Sequence, residues 1–308
     1  MTTAFFHSSG DVLADRRYVY AEGLLADGDA VAAADLFAQA VELAPAWAAG
    51  WAALGRAREE AGEALAAVAA YRQALTLAPD DPFGASLKIA KLAGEAAPAA
   101  PPAAYVRDLF DQYAPRFESA LIDGLGYRVP GRLGDLLARL RPALATRPAA
   151  HAVDLGCGTG LMAPILRPWA HRLDGVDLSA GMVAVAEEKG LYDRLAVGDV
   201  VAFLADGGAP IDLVTAADVF CYLGDLEPVF AAMRPRLAAG ALVVFSVERG
   251  AGEGWQLQPS LRFAHGADYL RALAHRHGLA VVALEEDALR RDRGEPVAGL
   301  LAAFSAPG

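Results

Sequence analysis

The sequence predicts an α/β fold, a mostly parallel sheet wound with helices, preceded by an all-helical domain. Three observations predict it. From about residue 150, apolar runs of strand length alternate with amphipathic stretches of helix length, the pattern of a parallel sheet with crossover helices. The first ninety residues repeat with a 34-residue period. Between these parts, Val153-Asp154-Leu155-Gly156-Cys157-Gly158-Thr159-Gly160 follows an apolar lead-in and precedes a helix-compatible run. It reads as strand, glycine turn, helix. Glycines at 156, 158 and 160 omit side chains where a backbone must bend sharply and pass close to a ligand.

At 308 residues the chain has room for two ordinary domains. Apolar residues make up 55% of it, enough for a substantial core, although alanine inflates that fraction and favours helix more than it fills volume. The net charge of −11 is spread along the chain, −5 over residues 1–93 and −6 over residues 94–308. Neither part offers the basic surface that sequence-independent phosphate binding requires, which argues against a nucleic-acid partner. The two cysteines, Cys157 and Cys221, form no C-x-x-C pair, so neither a metal site nor a disulfide framework is indicated. Met1 to Gly10 lacks the basic start and apolar segment of a signal peptide. No run of about 18 apolar residues occurs. The expectation is a cytoplasmic chain with no membrane partner.

In the first part, Gly28, Ala33, Phe37, Ala40, Leu43, Ala44 and Pro45 recur as Gly62, Ala67, Tyr71, Ala74, Leu77, Ala78 and Pro79. This spacing resembles that of tetratricopeptide repeats, two antiparallel helices per unit. The second copy adds Trp51, Leu54 and Gly55, where that family carries W-x-x-L-G. The first has Arg17, Tyr20 and Ala21 instead, which suits a terminal repeat with one open side. Ala33 and Ala67 let paired helices approach; Phe37 and Tyr71 fill the groove between them. Two repeats bury too little alone, at least about three being normal, so Phe83 to Leu92 is assigned as a capping helix. Gly94 to Pro102, rich in alanine and proline, breaks every periodicity and reads as a linker. The expected division is 1–93 for repeats and cap, 94–104 for linker, and 105–308 for the α/β domain. Docking and plain architecture both stay open for the repeats. A carboxylate clamp is disfavoured, because Tyr18, Glu22 and Ala53 stand where Lys and Asn would grip.

In the second part the first strand ends at Asp154. Further strands are expected at Arg172–Asp177, Leu195–Val197, Ile211–Ala216 and Ala241–Glu248, with a last pair at Leu279–Glu285 and Pro296–Phe304. Helices are expected at Ala180–Lys189, with Ser179 as N-cap, at Leu226–Leu237 and at Ala267–Arg276. Asp177 lies 17 positions beyond Gly160, at a strand tip where a carboxylate can accept from both ribose hydroxyls of a nucleoside. Strand C-termini border the crevice of an open α/β sheet, so Asp218, Phe220 and Tyr222 are expected to face ligand. The long connection from Arg249 to Phe263 carries Trp255, and connections of that length are usually functional. Arg262 and His265 stand where it rejoins the sheet; Arg290, Arg291 and Arg293 stand between the last two strands. The dinucleotide fingerprint is G-x-G-x-x-G. Here the third glycine comes one residue early and Leu161 follows.

The run D-x-G-x-G-x-G from Asp154 to Gly160 resembles motif I of the class I S-adenosylmethionine-dependent methyltransferases. In that family the loop passes the amino-acid end of the cofactor, where no phosphate needs cradling. Gly198-Asp199 resembles the element whose acidic side chain receives the adenine amino group. Phe110 to Ala114 and Leu125 to Pro130 resemble the helical lid that precedes motif I, which places a lid at 105–150. Together with the repeats, the chain is similar to bacterial methyltransferases carrying tetratricopeptide repeats, whose substrates are generally unassigned. The resemblance implies a Rossmann-like sheet with an antiparallel last strand, and S-adenosyl-L-methionine as cofactor. It implies a cofactor site of Asp154, Gly156, Cys157, Gly158, Gly160, Asp177, Leu178, Met182, Asp199, Val200, Asp218 and Tyr113. The [DN]-P-P-[YFW] of methyltransferases acting on nucleobase amines is absent after the fourth strand, a second argument against nucleic acid.

Methyl transfer requires alignment and exclusion of water, and a general base only where the acceptor is protonated. The candidates are His265, Tyr222, Glu248 and Asp111, of which His265 titrates nearest neutrality. Phe220, Tyr222, Trp255, Arg262 and His265 suggest a mixed aromatic and basic pocket, suited to a small, partly apolar acid. The expected partner is a small-molecule acceptor, or a protein recruited by the repeats. Competing expectations are aminopropyl transfer or nicotinamide chemistry on the same fold, and a non-catalytic adaptor with a cofactor-sensing sheet.

Overall fold

Alanine-rich amphipathic stretches punctuated by glycine make the first part of the chain helical. The computed structural model describes residues 8–119, 126–292 and 294–308. It divides into two units, Met1–Tyr105 and Val106–Gly308. In the first, α1 (Val12–Ala26), α2 (Ala30–Leu43), α3 (Ala48–Glu60), α4 (Ala64–Leu77) and α5 (Ala85–Ala93) pack in succession. Asp11 and Asp29 cap α1 and α2 by accepting from backbone N–H groups. Gly28 and Gly62, at φ +88° and +82°, turn the chain within each helix pair. Burial repeats as the sequence does: Ala33 and Ala67 are enclosed, and Phe37 and Tyr71 are the largest fully buried side chains of their pairs. The helix expected over Phe83–Leu92 starts two residues later, where the Asp81 carboxylate accepts from the Ala85 and Ser86 N–H groups. Val12, Val19 and Tyr20 remain exposed on α1.

In the second unit, helices precede the sheet: the rest of α6 (Ala103–Tyr113), the single turn α7 (Phe117–Ser119) and α8 (Val129–Leu140). Leu125, expected in the lid, lies outside the described residues. Then β1 (Ala149–Leu155), α9 (Ala163–Leu166), β2 (Ala170–Asp177), α10 (Ala180–Glu188), β3 (Arg194–Val197), α11 (Val200–Ala205), β4 (Ile211–Ala216), α12 (Glu227–Met233) and β5 (Leu237–Arg249) alternate. After them come β6 (Trp255–Leu257), β7 (Phe263–His265), α13 (Ala267–Arg276), β8 (Ala280–Asp292) and β9 (Glu295–Ser305).

The order β3-β2-β1-β4-β5 is parallel throughout. β9 pairs antiparallel with β5 and β8 antiparallel with β9. The expected Rossmann-like sheet with an antiparallel last strand is therefore present. Its central strands β1, β4 and β5 are apolar on both faces because helices cover both. Val153, Leu155, Val214 and Phe245 meet Leu204, Phe230 and Leu270 on one side. Ala152, Leu213 and Val244 meet Leu133, Leu137 and Leu166 on the other.

Three local expectations change. The helix after the glycine loop is only the four-residue α9, followed by a 3-10 turn at Arg167–Trp169; Pro168 cannot continue an α-helix. The connection after β5 is not a plain loop, since β6 and β7 form a small antiparallel hairpin and β7 also pairs with the end of β5. Arg290 and Arg291 belong to β8 rather than to the connection after it, while Arg293 lies outside the described residues. A register shift between Ala288 and Arg290 is a bulge of the kind that re-aims side chains. Arg290 is buried and Arg291 exposed. No helix among the described residues is long and apolar enough to cross a membrane.

Candidate active site

The chain turns as soon as β1 ends. Gly156, Gly158 and Gly160 have φ of +60°, +53° and +85°, a region open to glycine at little cost. The loop then uses its own amides. Cys157 N–H donates to the Val176 carbonyl at 2.9 Å and Gly160 N–H to the Cys157 carbonyl at 2.8 Å. Gly158 N–H donates to Asp177 Oδ2 at 2.8 Å. A phosphate cradle needs such amides free, ahead of a substantial helix. Neither condition holds here, so the loop fits a ligand that brings no phosphate to it.

Asp154, expected among the cofactor contacts, lies beneath the loop instead. It is 1% exposed, and its carboxylate accepts from Tyr192 Oη at 2.7 Å and Thr215 Oγ1 at 2.8 Å. Tyr192 fills the space that two glycines leave: a Cβ at Gly160 would lie 3.1 Å from its ring, and one at Gly175 2.9 Å. Cys157 is buried in the same layer, and its thiol is pushed up by burial. Burial also raises the Asp154 carboxyl to about 6, against the pull of its two hydroxyl donors. The folded chain thus holds this proton more tightly than the unfolded chain. The stabilisation is complete below the ordinary carboxyl range and is lost as pH rises through about 6. Asp154→Asn removes this dependence. Relative to the wild type, its stability is expected to gain about 3 kcal/mol between pH 3 and pH 7, read from urea unfolding at several pH values. Parallel stability curves would refute the assignment.

At the tip of β2, Asp177 is half-buried, and burial raises its carboxyl. Its Oδ1 accepts from Ser179 N–H at 2.9 Å and its Oδ2 from Gly158. Ser179 caps α10 as expected, accepting from Met182 N–H at 3.0 Å; the Met182 side chain is buried and Leu178 is half-buried. Asp111, a catalytic candidate, serves the same helix end. Its Oδ1 accepts from Ser179 Oγ and from Gly181 N–H, so through that oxygen it ties α6 to α10. Asp199 caps α11 through the Val201 and Ala202 amides, and Val200 packs against the core. Tyr113 lies under the Arg116 guanidinium, 5.4 Å from centroid to Cζ.

A second group of residues gathers at the C-terminal ends of β4 and β5. An aromatic chain leads to it from the glycine loop. A Cβ at Gly158 would lie 3.9 Å from the Phe117 ring; Phe117 meets Phe110 at 6.1 Å and Phe110 meets Tyr222 at 5.2 Å between centroids. Tyr222 Oη accepts from Arg262 Nε at 3.1 Å, and that guanidinium lies 5.5 Å from the Tyr222 ring centre. Beside them Arg290 donates to both oxygens of Asp218, at 2.8 and 3.0 Å, and to Glu248. Arg262 Nη1 lies 4.0 Å from the same Glu248. Burial raises the Glu248 carboxyl, against the two guanidinium charges. Asp218 has φ +59°, and its N–H donates to Ser246 Oγ at 2.9 Å.

Two of the expected pocket residues do not face it. Phe220 is wholly enclosed among Phe230 and Phe245. His265 is also fully enclosed, with Nε2 2.9 Å from the Gly224 carbonyl. Burial pushes its imidazole down to about 4, so it is neutral at pH 7 and a poor base. No group of three or more His, Cys, Asp or Glu side chains among the described residues could hold a metal ion.

Residues 125–284 match the family described as "Methyltransferase domain". The chain belongs to that family. Methyltransferase-like protein 27 of Homo sapiens is 36% identical over 115 residues, covering 37% of this chain and 46% of that protein. Trans-aconitate 2-methyltransferase of Paracidovorax citrulli (strain AAC00-1) is 32% identical over 116 residues, covering 37% and 43%. The chain thus spans less than half the length of these two curated relatives. The magnesium protoporphyrin IX methyltransferase of Synechocystis PCC 6803, solved with bound SAH, shares the fold at a TM-score of 0.51 and 16% identity. That match covers 66% of this chain and 99% of the other.

Within this methyltransferase domain, sequence reasoning overlooked Tyr192, Thr215 and Ser246, which hold Asp154 and Asp218 in place. Thr215 and Ser246 carried a signal, a lone hydroxyl inside an apolar strand. Tyr192 carried none, because its role comes from β3 lying beside β2.

Proposed function

We propose that this chain is an S-adenosyl-L-methionine-dependent methyltransferase acting on a small-molecule acceptor. Membership of the methyltransferase-domain family supports the chemistry. The observation that carries the cofactor is the glycine loop, whose Cys157, Gly158 and Gly160 amides are spent internally rather than offered to a pyrophosphate. Asp177 would accept from the ribose hydroxyls. Asp199 would receive the adenine amino group on Oδ2, which has no partner among the described residues. Phe117 lies beside the loop and Phe110 against Phe117, and aromatic rings there would favour a cationic ligand. When bound, the cofactor supplies a methyl group on a sulfonium. The protein's own part is to align the acceptor and keep water away.

For the first unit we propose two tetratricopeptide repeats, α1 with α2 and α3 with α4, capped by α5 within residues 1–93. The repeated glycine turns and matched burial support this reading. Residues 94–104 then serve as linker to the methyltransferase domain. Such repeats would give a protein partner a surface to dock on.

Calorimetric titration with S-adenosylmethionine, S-adenosylhomocysteine and NAD tests the cofactor. The first two are expected to bind and NAD is not; the reverse would overturn the reading. Incubating the full chain with methyl-labelled cofactor and cell extract, then separating protein from small molecules, tests the acceptor. Label is expected in the small-molecule fraction. Label confined to protein favours an acceptor recruited by the repeats, and label in neither favours a non-catalytic adaptor.

A further inference from the structure

The aromatic chain from the glycine loop ends on a cation, Arg262, and the groups around that cation are otherwise committed. Glu248 and Asp218 are held by Arg290. Tyr222 Oη accepts from Arg262. Asp111 Oδ1 is committed to the end of α10, and its hydrogen bonds are with that helix rather than with the Arg262 group; His265 is enclosed and neutral. None of these candidates is placed to take a proton from a neutral alcohol or a protonated amine. Arg262 itself uses Nε on Tyr222, while Nη2 has no partner among the described residues. Its side chain keeps 25% exposure.

We infer that the acceptor is a carboxylate, anchored by Arg262 against the Tyr222 and Phe110 rings, and methylated on a carboxylate oxygen. This inference rests on the methyltransferase reading above. A guanidinium edge matches a carboxylate in geometry as well as charge, and the aromatic wall suits an acid with an apolar body. A protonated amine in the same place would meet Arg262 as a like charge. A carboxylate is already deprotonated near neutrality, so the missing base is no obstacle. The transfer balances without one: an oxygen–carbon bond forms, the carbon–sulfur bond breaks, its electron pair stays on sulfur, and no proton moves. Charge balances as well. Arg262 and Arg290 offset Asp218 and Glu248, leaving the acceptor's negative charge to complement the cofactor's sulfonium.

The test is a titration with matched acids and amides. The full chain is loaded with S-adenosylhomocysteine and titrated calorimetrically with hexanoate, phenylacetate and cinnamate, then with hexanamide, phenylacetamide and cinnamamide. The same series is run on the unloaded chain. At least one acid is expected to bind tenfold or more tightly than its amide. Arg262→Gln is expected to erase that preference while S-adenosylhomocysteine affinity stays within about twofold. Arg262→Lys should retain part of it, since the charge survives and the planar fork does not. Circular dichroism of both variants checks that they fold. Equal affinity for acids and amides, an unchanged preference in Arg262→Gln, or no binding of any acid would each overturn the inference. Failure of S-adenosylhomocysteine to bind would instead strike the methyltransferase reading, and the titrations of the unloaded chain still decide the Arg262 site.

Discussion

Gly156→Ala is expected to lower S-adenosylmethionine affinity more than a hundredfold and to destabilise the second unit strongly, whereas Gly158→Ala should harm binding at a much smaller cost in stability. Both positions have positive φ, +60° and +53°, where an L side chain is strained by about 1–2 kcal/mol. The surroundings separate them. A Cβ at Gly156 would lie 2.5 and 2.7 Å from the two methyl groups of Val219, and Val219 packs against the core of the sheet. Overpacking of that kind costs about 1–3 kcal/mol more. Relief requires the loop to move away from the strand ends, and Asp177 would move with it through Gly158 N–H. A Cβ at Gly158 meets only the edge of the Phe117 ring, at 3.9 Å. That substitution should leave the melting temperature within a few degrees of wild type, yet fill space the cofactor must pass through. Thermal unfolding and calorimetric titration of the two variants check the contrast. Equal losses of stability would contradict the packing argument.

The loop was legible because glycines at fixed spacing after a strand carry their meaning locally. Asp177 was legible for a similar reason, since the distance from loop to second strand tip is set by the βαβ unit. The mostly parallel character of the sheet followed from apolar runs alternating with helical stretches, and α13 has the bounds its periodicity predicted. What stayed hidden depends on contacts distant in sequence. Tyr192 reaches Asp154 across 38 positions. Nothing in either segment announces the pair. His265 misled because residue type suggests titration near neutrality, while burial decides it. The same holds for Asp111, a carboxylate whose use is fixed by the helix end it meets. Arg290 misled differently. Its neighbours are charged, so the segment reads as a connection, but a bulge in an edge strand turns one charged side chain into the protein and leaves the next outside. The hairpin of β6 and β7 was invisible because three-residue strands show no periodicity.

Arg290→Met should cost about 3–5 kcal/mol of stability at pH 7, because removing one partner of a buried ion cluster strands the others. Arg290 is 3% exposed and is the hydrogen-bonding cation for Asp218 and Glu248 alike. For a domain of this size the loss corresponds to a fall of roughly 6–20 °C in melting temperature. The deficit should depend on pH in a definite direction. Burial already raises the Glu248 carboxyl, and Arg290 is the first of the charges opposing that rise. Without it, Glu248 titrates higher still when folded than when unfolded. The variant is therefore least penalised at low pH and loses ground as pH climbs through that raised value. Unfolding at pH 5 and pH 7 should show the gap to wild type narrowing toward acid; a gap that widens would exclude the ion cluster as its cause. Activity should fall too. Asp218 holds φ +59°, an arrangement that persists only when its surroundings over-determine it. Arg290 and Ser246 are the groups that do so. Released, the end of β4 can relax and carry Tyr222 away from Arg262, so methyl transfer should drop by about tenfold or more. Arg290→Lys restores the charge but not the fork to two carboxylates. It should recover more of the stability than of the activity, because stability needs the buried charges paired while transfer needs them placed.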